Sequence, residues 1–140
     1  MINVISGIDI TGSALNAEKT RMDIVAQNIA NAQTTHGADG KPYQRKVVSF
    51  QTVLQAAGAG RNSQAGGVQV AEVKNDTTPG PAVYNPQHPD ADASGMVQMP
   101  NVNLAFEMVD LISSTRAYEA NLAVVKNAKQ MAHKALSIGR

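Results

Sequence analysis

The sequence predicts an α+β protein in which long N- and C-terminal helices form an antiparallel coiled-coil domain, with a small β-rich insertion between them. Three features carry that expectation. Apolar residues recur in alternating steps of three and four at both ends of the chain. All six prolines fall within residues 33–100, where they exclude long helices. Runs of β-forming residues occupy that same segment. At 140 residues the chain fits one compact domain or two small units sharing a core. The expected division is 1–32 with 101–140 for the helical unit and 33–100 for the insertion.

The first helix is expected over residues 4–32. One stripe reads Ile8, Thr11, Leu15, Glu18, Met22, Val25, Ile29, and a second, wholly polar, reads Asp9, Ser13, Asn16, Thr20, Asp23, Gln27. Opposed stripes at this period define an amphipathic helix, although Thr11 and Glu18 interrupt the seam. Within the insertion, residues 43–53 and 67–74 read as strands, and 81–84 as a possible third. The small-residue segment 56–67 is expected to be mobile. Residues 75–100, with five prolines, should follow an extended, turn-rich path.

The second helix is expected over residues 103–138. Its seam is Leu104, Met108, Leu111, Thr115, Tyr118, Leu122, Val125, Lys129, Ala132, Leu136. Pro100 followed by Asn101 and Asn103 supplies a start signal, since asparagine is a favoured N-cap. Glu107 and Asp110 lie near the positive end of the helix dipole, and only basic charges follow Glu119. Such a helix is roughly 50 Å long, too long for one small domain to cover on all sides. Both helices also display small residues, among them Ala14, Ala17, Ala26, Ala117, Ala120 and Ala128. These permit close helix packing, and the expectation is an assembly subunit whose end helices are marginally stable alone.

Composition narrows the function. Twelve basic residues against eleven acidic ones give a net charge of +1, which argues against nucleic-acid binding. The absence of cysteine excludes disulfide staples, Cys-ligated zinc and thiol nucleophiles. Aromatic content is 4% with no tryptophan, unlike a small enzyme that shapes a pocket with aromatic bulk. The start has neither the basic region nor the apolar run of a cleavable signal, and no window approaches the ~20 apolar residues of a membrane span. His36, His88 and His133 have no metal-ligand spacing. Residues 88–92 resemble a fragment of a cation loop but lack its Gly and terminal Glu, so a turn with capping aspartates is expected. The 58–67 glycines lack the following Lys-Ser/Thr of a phosphate cradle. Arg45-Lys46 reads as a surface or subunit contact.

The remaining candidates are packing residues. Arg116 and Glu119, at i and i+3, suit either a solvated pair within the helix or a contact that sets register between subunits. Asn28, Asn31, Asn121 and Asn127 are either solvated or bonded across packed helices. The expected packing set is Ile8, Leu15, Met22, Val25, Asn28, Ile29, Asn31, Leu104, Met108, Leu111, Arg116, Tyr118, Glu119, Asn121, Leu122 and Val125. No residue is assigned to catalysis, a cofactor or a metal.

Four strings carry a resemblance. Asn28-Ile29-Ala30-Asn31-Ala32, after an amphipathic helix, resembles the N-terminal signature of the bacterial flagellar rod and hook proteins. Residues 35–46 (THGADGKPYQRK), 84–102 (YNPQHPDADASGMVQMPNV) and 116–121 (RAYEAN) narrow the likeness to the proximal-rod members of that axial family. Met96 stands where those members usually have an aromatic. The resemblance implies a non-enzymatic subunit of the helical tube that crosses the periplasm and turns with the motor. It further implies that the terminal helices surround the export channel, with the β segment outside. Implied partners are copies of the chain, other proximal and distal rod proteins, the flagellar export apparatus and the basal-body base. No cofactor, nucleic acid or membrane insertion is implied, and the implied export route uses no cleavable signal. Rival expectations are another axial rod subunit, a helical adaptor or export chaperone with a discrete oligomer, or a small hydrolase with a preformed pocket.

Overall fold

The fold is seen in a computed structural model that describes residues 4–55 and 64–138. The chain runs α1 (Val4–Ala30), β1 (Lys46–Gln55), β2 (Gln64–Asn75), β3 (Ala82–Tyr84), β4 (Met96–Gln98) and α2 (Leu104–Ile138). Two helices thus bracket a small β-rich segment, as the sequence indicates. Much of the 56–67 segment expected to be mobile lies outside the described residues.

α1 ends where Asn31 folds back: its main-chain N–H and its Nδ2 both donate to the Gln27 carbonyl, at 3.1 and 2.8 Å. The chain then turns through Gly40, whose φ of 74° favours glycine. Tyr43 N–H donates to the Thr34 carbonyl at 3.0 Å. That bond turns Tyr43 toward its own loop, and the first strand begins at Lys46 and not at Tyr43.

β1 and β2 form an antiparallel hairpin from Lys46↔Asn75 to Gln55↔Gln64, with shifts in register after Ser49 and after Thr52. The hairpin touches α1 at Gly67, a buried residue with φ of 121°. A Cβ there would run into the Ser13 side chain. Ser13 Oγ accepts the Val68 N–H at 3.0 Å and donates to the Ile10 carbonyl at 2.7 Å. A polar residue on the solvated stripe of α1 therefore anchors a strand.

β3 and β4 form a second two-stranded sheet, with Val83 opposite Val97. β4 is absent from the sequence expectation. Between its partners, Asp92 Oδ1 accepts the main-chain N–H groups of Ser94 and Met96 at 2.8 and 2.9 Å. Gly95, at φ 77°, completes the reversal. The expected capping aspartate is here, and Asp90 adds to it by accepting Thr35 Oγ1 at 2.7 Å.

α2 is capped by Asn103, whose Oδ1 accepts Ala105 N–H at 3.0 Å. Asn101 has other work. Its side chain bridges Arg45 N–H and the Asp76 carbonyl at 2.8 and 3.0 Å. α1 and α2 pack together, with Asn28 meeting Glu107, Arg21 meeting Asp110 and Met22 meeting Thr115.

The expected α2 seam divides between two faces. Among the described side chains, the buried and half-buried positions of α2 are Glu107, Asp110, Leu111, Ser114, Ala117, Tyr118, Asn121, Val125 and Ala128. These include Leu111, Tyr118 and Val125 of the seam, whereas its other members Leu104, Met108, Thr115, Leu122, Lys129, Ala132 and Leu136 are exposed. Two effects turn the helix this way. Glu107 is drawn inward by partners described below. Ser114 can be buried because its Oγ donates within its own helix, to the carbonyls of Asp110 and Leu111. Among the described side chains, the buried apolar residues are few: Ala17, Val25, Val97 and Pro100.

Candidate functional site

Among the described residues, three of the four largest fully buried side chains are polar. Asn28 is 1% exposed and Glu107 0%, and they meet where the end of α1, the start of β1 and the start of α2 converge. Asn28 Nδ2 donates to the Lys46 carbonyl at 2.9 Å and to Glu107 Oε2 at 3.0 Å. Asn28 Oδ1 accepts Lys46 N–H and Tyr43 OH, each at 2.9 Å. The side-chain amide thus satisfies both main-chain groups of the first residue of β1, as a neighbouring strand would.

Arg45 supplies the countercharge. Its Nε lies 2.5 Å from Glu107 Oε1, and its guanidinium reaches Asp110 at 3.7 Å, while Arg21 holds the other oxygen of Asp110 at 3.2 Å. Two guanidinium groups therefore face two carboxylates, so the enclosed charge is balanced. Arg45 is fixed by its main chain as well: its carbonyl accepts Asp76 N–H at 2.7 Å. Burial, followed by the negative charge of Glu107, raises the pKa of the Tyr43 phenol above its ordinary value. Beside this junction lies a cleft of about 250 Å³, lined by Ile24, Val48, Phe50, Arg21 and Asp110 among others. Every charged group in the junction is engaged by another, so its chemistry is that of a clamp. Among the described residues no group of three or more His, Asp or Glu side chains is placed to hold a metal.

The junction corrects two expectations. Arg45 is turned inward to Glu107 and Asp110, not outward as a surface or subunit contact. Glu107, read only as a complement to the helix dipole, is the buried centre. Sixty-two residues separate it from Arg45, so no local spacing could reveal the pair. For Asn28 the cross-element alternative is the one observed. Asn31 serves its own helix end, accepting Thr34 Oγ1 at 3.3 Å.

The other expected packing residues distribute between a thin interior and the surface. Val25 is buried, and Ile8, Leu15, Met22, Ile29, Leu111, Tyr118, Asn121 and Val125 are half-buried. Arg116, Glu119 and Asn127 are exposed, and among the described residues no ion pair joins Arg116 to Glu119. Leu104, Met108 and Leu122 are about half exposed. Three further residues belong with them, missed because they lie off the seam: Phe106 at 70%, Val109 at 63% and Ile112 at 55% exposure. At 3.6 residues per turn, the exposed side chains of Leu104, Phe106, Met108, Val109 and Ile112 spread over roughly half of the helix circumference, while Glu107, Asp110 and Leu111 take the side toward α1. An exposed apolar arc this broad marks an interaction surface. Among the described residues, no helix is long and apolar enough to cross a membrane.

Comparison with known proteins matches the chain to a family. Residues 8–38 match the family described as "Flagella basal body rod protein", and residues 93–138 match "Flagellar basal body rod FlgEFG protein C-terminal". The chain is 40% identical to the flagellar basal-body rod protein FlgC of Yersinia enterocolitica, over 99% of this chain and 100% of that one. It is 46% identical to the FlgC protein of Escherichia coli O6:H1 over 94% of this chain and 95% of the relative. Against the Bacillus subtilis FlgC protein the identity is 41%, covering 95% and 96%. With this identity along nearly the whole chain, and with both ends matching rod families, the chain belongs to the flagellar basal-body rod protein FlgC family.

Proposed function

We propose that the chain builds the proximal rod of the bacterial flagellum by packing its terminal helices against copies of itself and against other proximal and distal rod proteins. As a member of its family it is a structural flagellar rod subunit and not an enzyme. In the proposed arrangement α1 and α2 form an antiparallel coiled coil that faces the export channel, and residues 33–100 form an outer part. The order of contacts supports the antiparallel pairing: Asn28 meets Glu107, and the earlier Met22 meets the later Thr115. Long helices laid along the shaft distribute torsional load over many contacts, and a head-to-tail contact that does not close generates an open helical assembly. The subunit reaches this site through the flagellar export apparatus, without a cleavable signal, and docks toward the basal-body base.

The single observation that carries this reading is the broad apolar arc of residues 104–112, left about half bare or more at Leu104, Phe106, Met108, Val109 and Ile112. The test is deletion of the gene in its host. Extracted basal bodies should be truncated and the cells non-motile, with recovery when the gene is returned. Complete basal bodies in the deletion strain would refute the reading.

A further inference from the structure

The two helices carry unmatched charges of opposite sign. Beyond Glu119, α2 holds Lys126, Lys129, His133 and Lys134 with no acid among them, all exposed. On α1 the outward stripe holds Asp9, Asn16 and Asp23 at steps of seven, also exposed, with Lys19 to one side. Among the described residues the ion pairs join other groups, and none involves Asp9, Asp23, Lys126 or Lys129. These opposite charges therefore do not satisfy each other within one subunit.

The spacing shows how they can meet between subunits. Lys126 and His133 are also seven apart, so an antiparallel run of α1 beside α2 sets Asp23 against Lys126 and Asn16 against His133 in one register. Within the subunit Met22 meets Thr115, and Lys126 lies about 16 Å further along α2 at 1.5 Å per residue. The match thus needs a neighbour displaced along the helix axis. We propose that the basic half of α2 in one copy docks on the outward acidic stripe of α1 in a second copy, staggered by about one such step. This inference rests on the rod reading above. It deepens that reading by fixing the contact as heterologous and directional, because the two surfaces belong to different helices. Opposite charges at such a contact select partner and register.

The test is charge reversal in a host lacking its own gene, reading the amount of chain in extracted basal bodies and the width of swimming zones. Asp23→Lys, or Lys126→Glu, should each lower incorporation at least about fivefold, because like charges are brought together. The two changes combined in one chain should return it to within about twofold of the unmodified level. Normal incorporation of either reversed chain overturns the contact. So does a combined chain no better than the worse of the two, which would assign the facing surface to a different protein. The neutral change Lys126→Gln guards against misfolding: a smaller loss supports the contact, and no loss overturns it. If even the unmodified chain were missing from basal bodies, the rod reading itself would fail, a result distinct from these.

Discussion

Asn28 takes the place of a missing strand. The first residue of β1 has β2 on one side, and the Asn28 amide completes its main-chain pairing on the other. Asn28→Ala should therefore unpair Lys46 and remove a donor from buried Glu107, costing about 2–4 kcal/mol, read by urea denaturation. Arg45 and Glu107 allow a sharper experiment. Arg45→Met leaves a fully enclosed carboxylate without its cation and should cost about 3 kcal/mol, moderated by the one-quarter exposure of Arg45. Arg45→Met with Glu107→Met removes both charges and should be less destabilised than Arg45→Met alone; simple additivity of the two single variants would show that the charges are not coupled. Tyr43 adds a pH dependence. Its pKa is raised by burial and by Glu107, so its contribution is full below the ordinary tyrosine value of about 10. It declines as the pH rises past that value, because the unfolded chain releases the proton first. Tyr43→Phe should flatten this alkaline decline in a series of unfolding curves.

At the scale of elements, the same polar contacts decide where helices and strands begin. Asn103 caps α2, and Asn103→Ala should cost about 1 kcal/mol. Leu111→Pro should break the helix that the cap starts, at about 3 kcal/mol or more, with a loss of helical circular dichroism. The β3–β4 turn responds to acid instead. The hydroxyl of Ser94, then the N–H groups of Met96 and Ser94, hold the Asp92 carboxyl below its ordinary pKa. The turn is therefore supported above that range and loosens as the pH falls through it, which amide exchange at Ser94 and Met96 would detect. Both helices and the main hairpin were legible in the sequence, because a period near 3.6 and clustered β-formers are local signals. The cap of α2 was equally local. The face that α2 buries was not legible, since it depends on Glu107 finding Arg45 and Asn28 from two other elements. β4 was hidden for a related reason: three residues flanked by proline and glycine acquire strand character only through pairing with β3.

Across the whole molecule, the interior is too small to bury what the sequence makes apolar. The periodic residues Leu104, Met108 and Leu122 form a good coiled-coil stripe, yet they flank the contact with α1 while a stripe of Glu107, Ser114 and Asn121 enters it. An apolar stripe left outside and a polar one taken inside would be a poor design for a free-standing globule. In a subunit surrounded by neighbours the same choice is coherent: the internal contact is specified by hydrogen bonds and charge, and the apolar faces remain for association. That division separates two classes of variant. Phe106→Ser with Val109→Ser and Ile112→Ser alters exposed positions, so the isolated chain should unfold within about 1 kcal/mol of the unmodified one. Its incorporation into basal bodies should nevertheless be abolished, because each change removes apolar area that a neighbour would cover. Asn28→Ala should do the reverse, lowering stability while leaving some assembly wherever neighbours hold the fold. If the triple serine variant assembled normally, the 104–112 surface would not be an interface, and its apolar arc would require another cover.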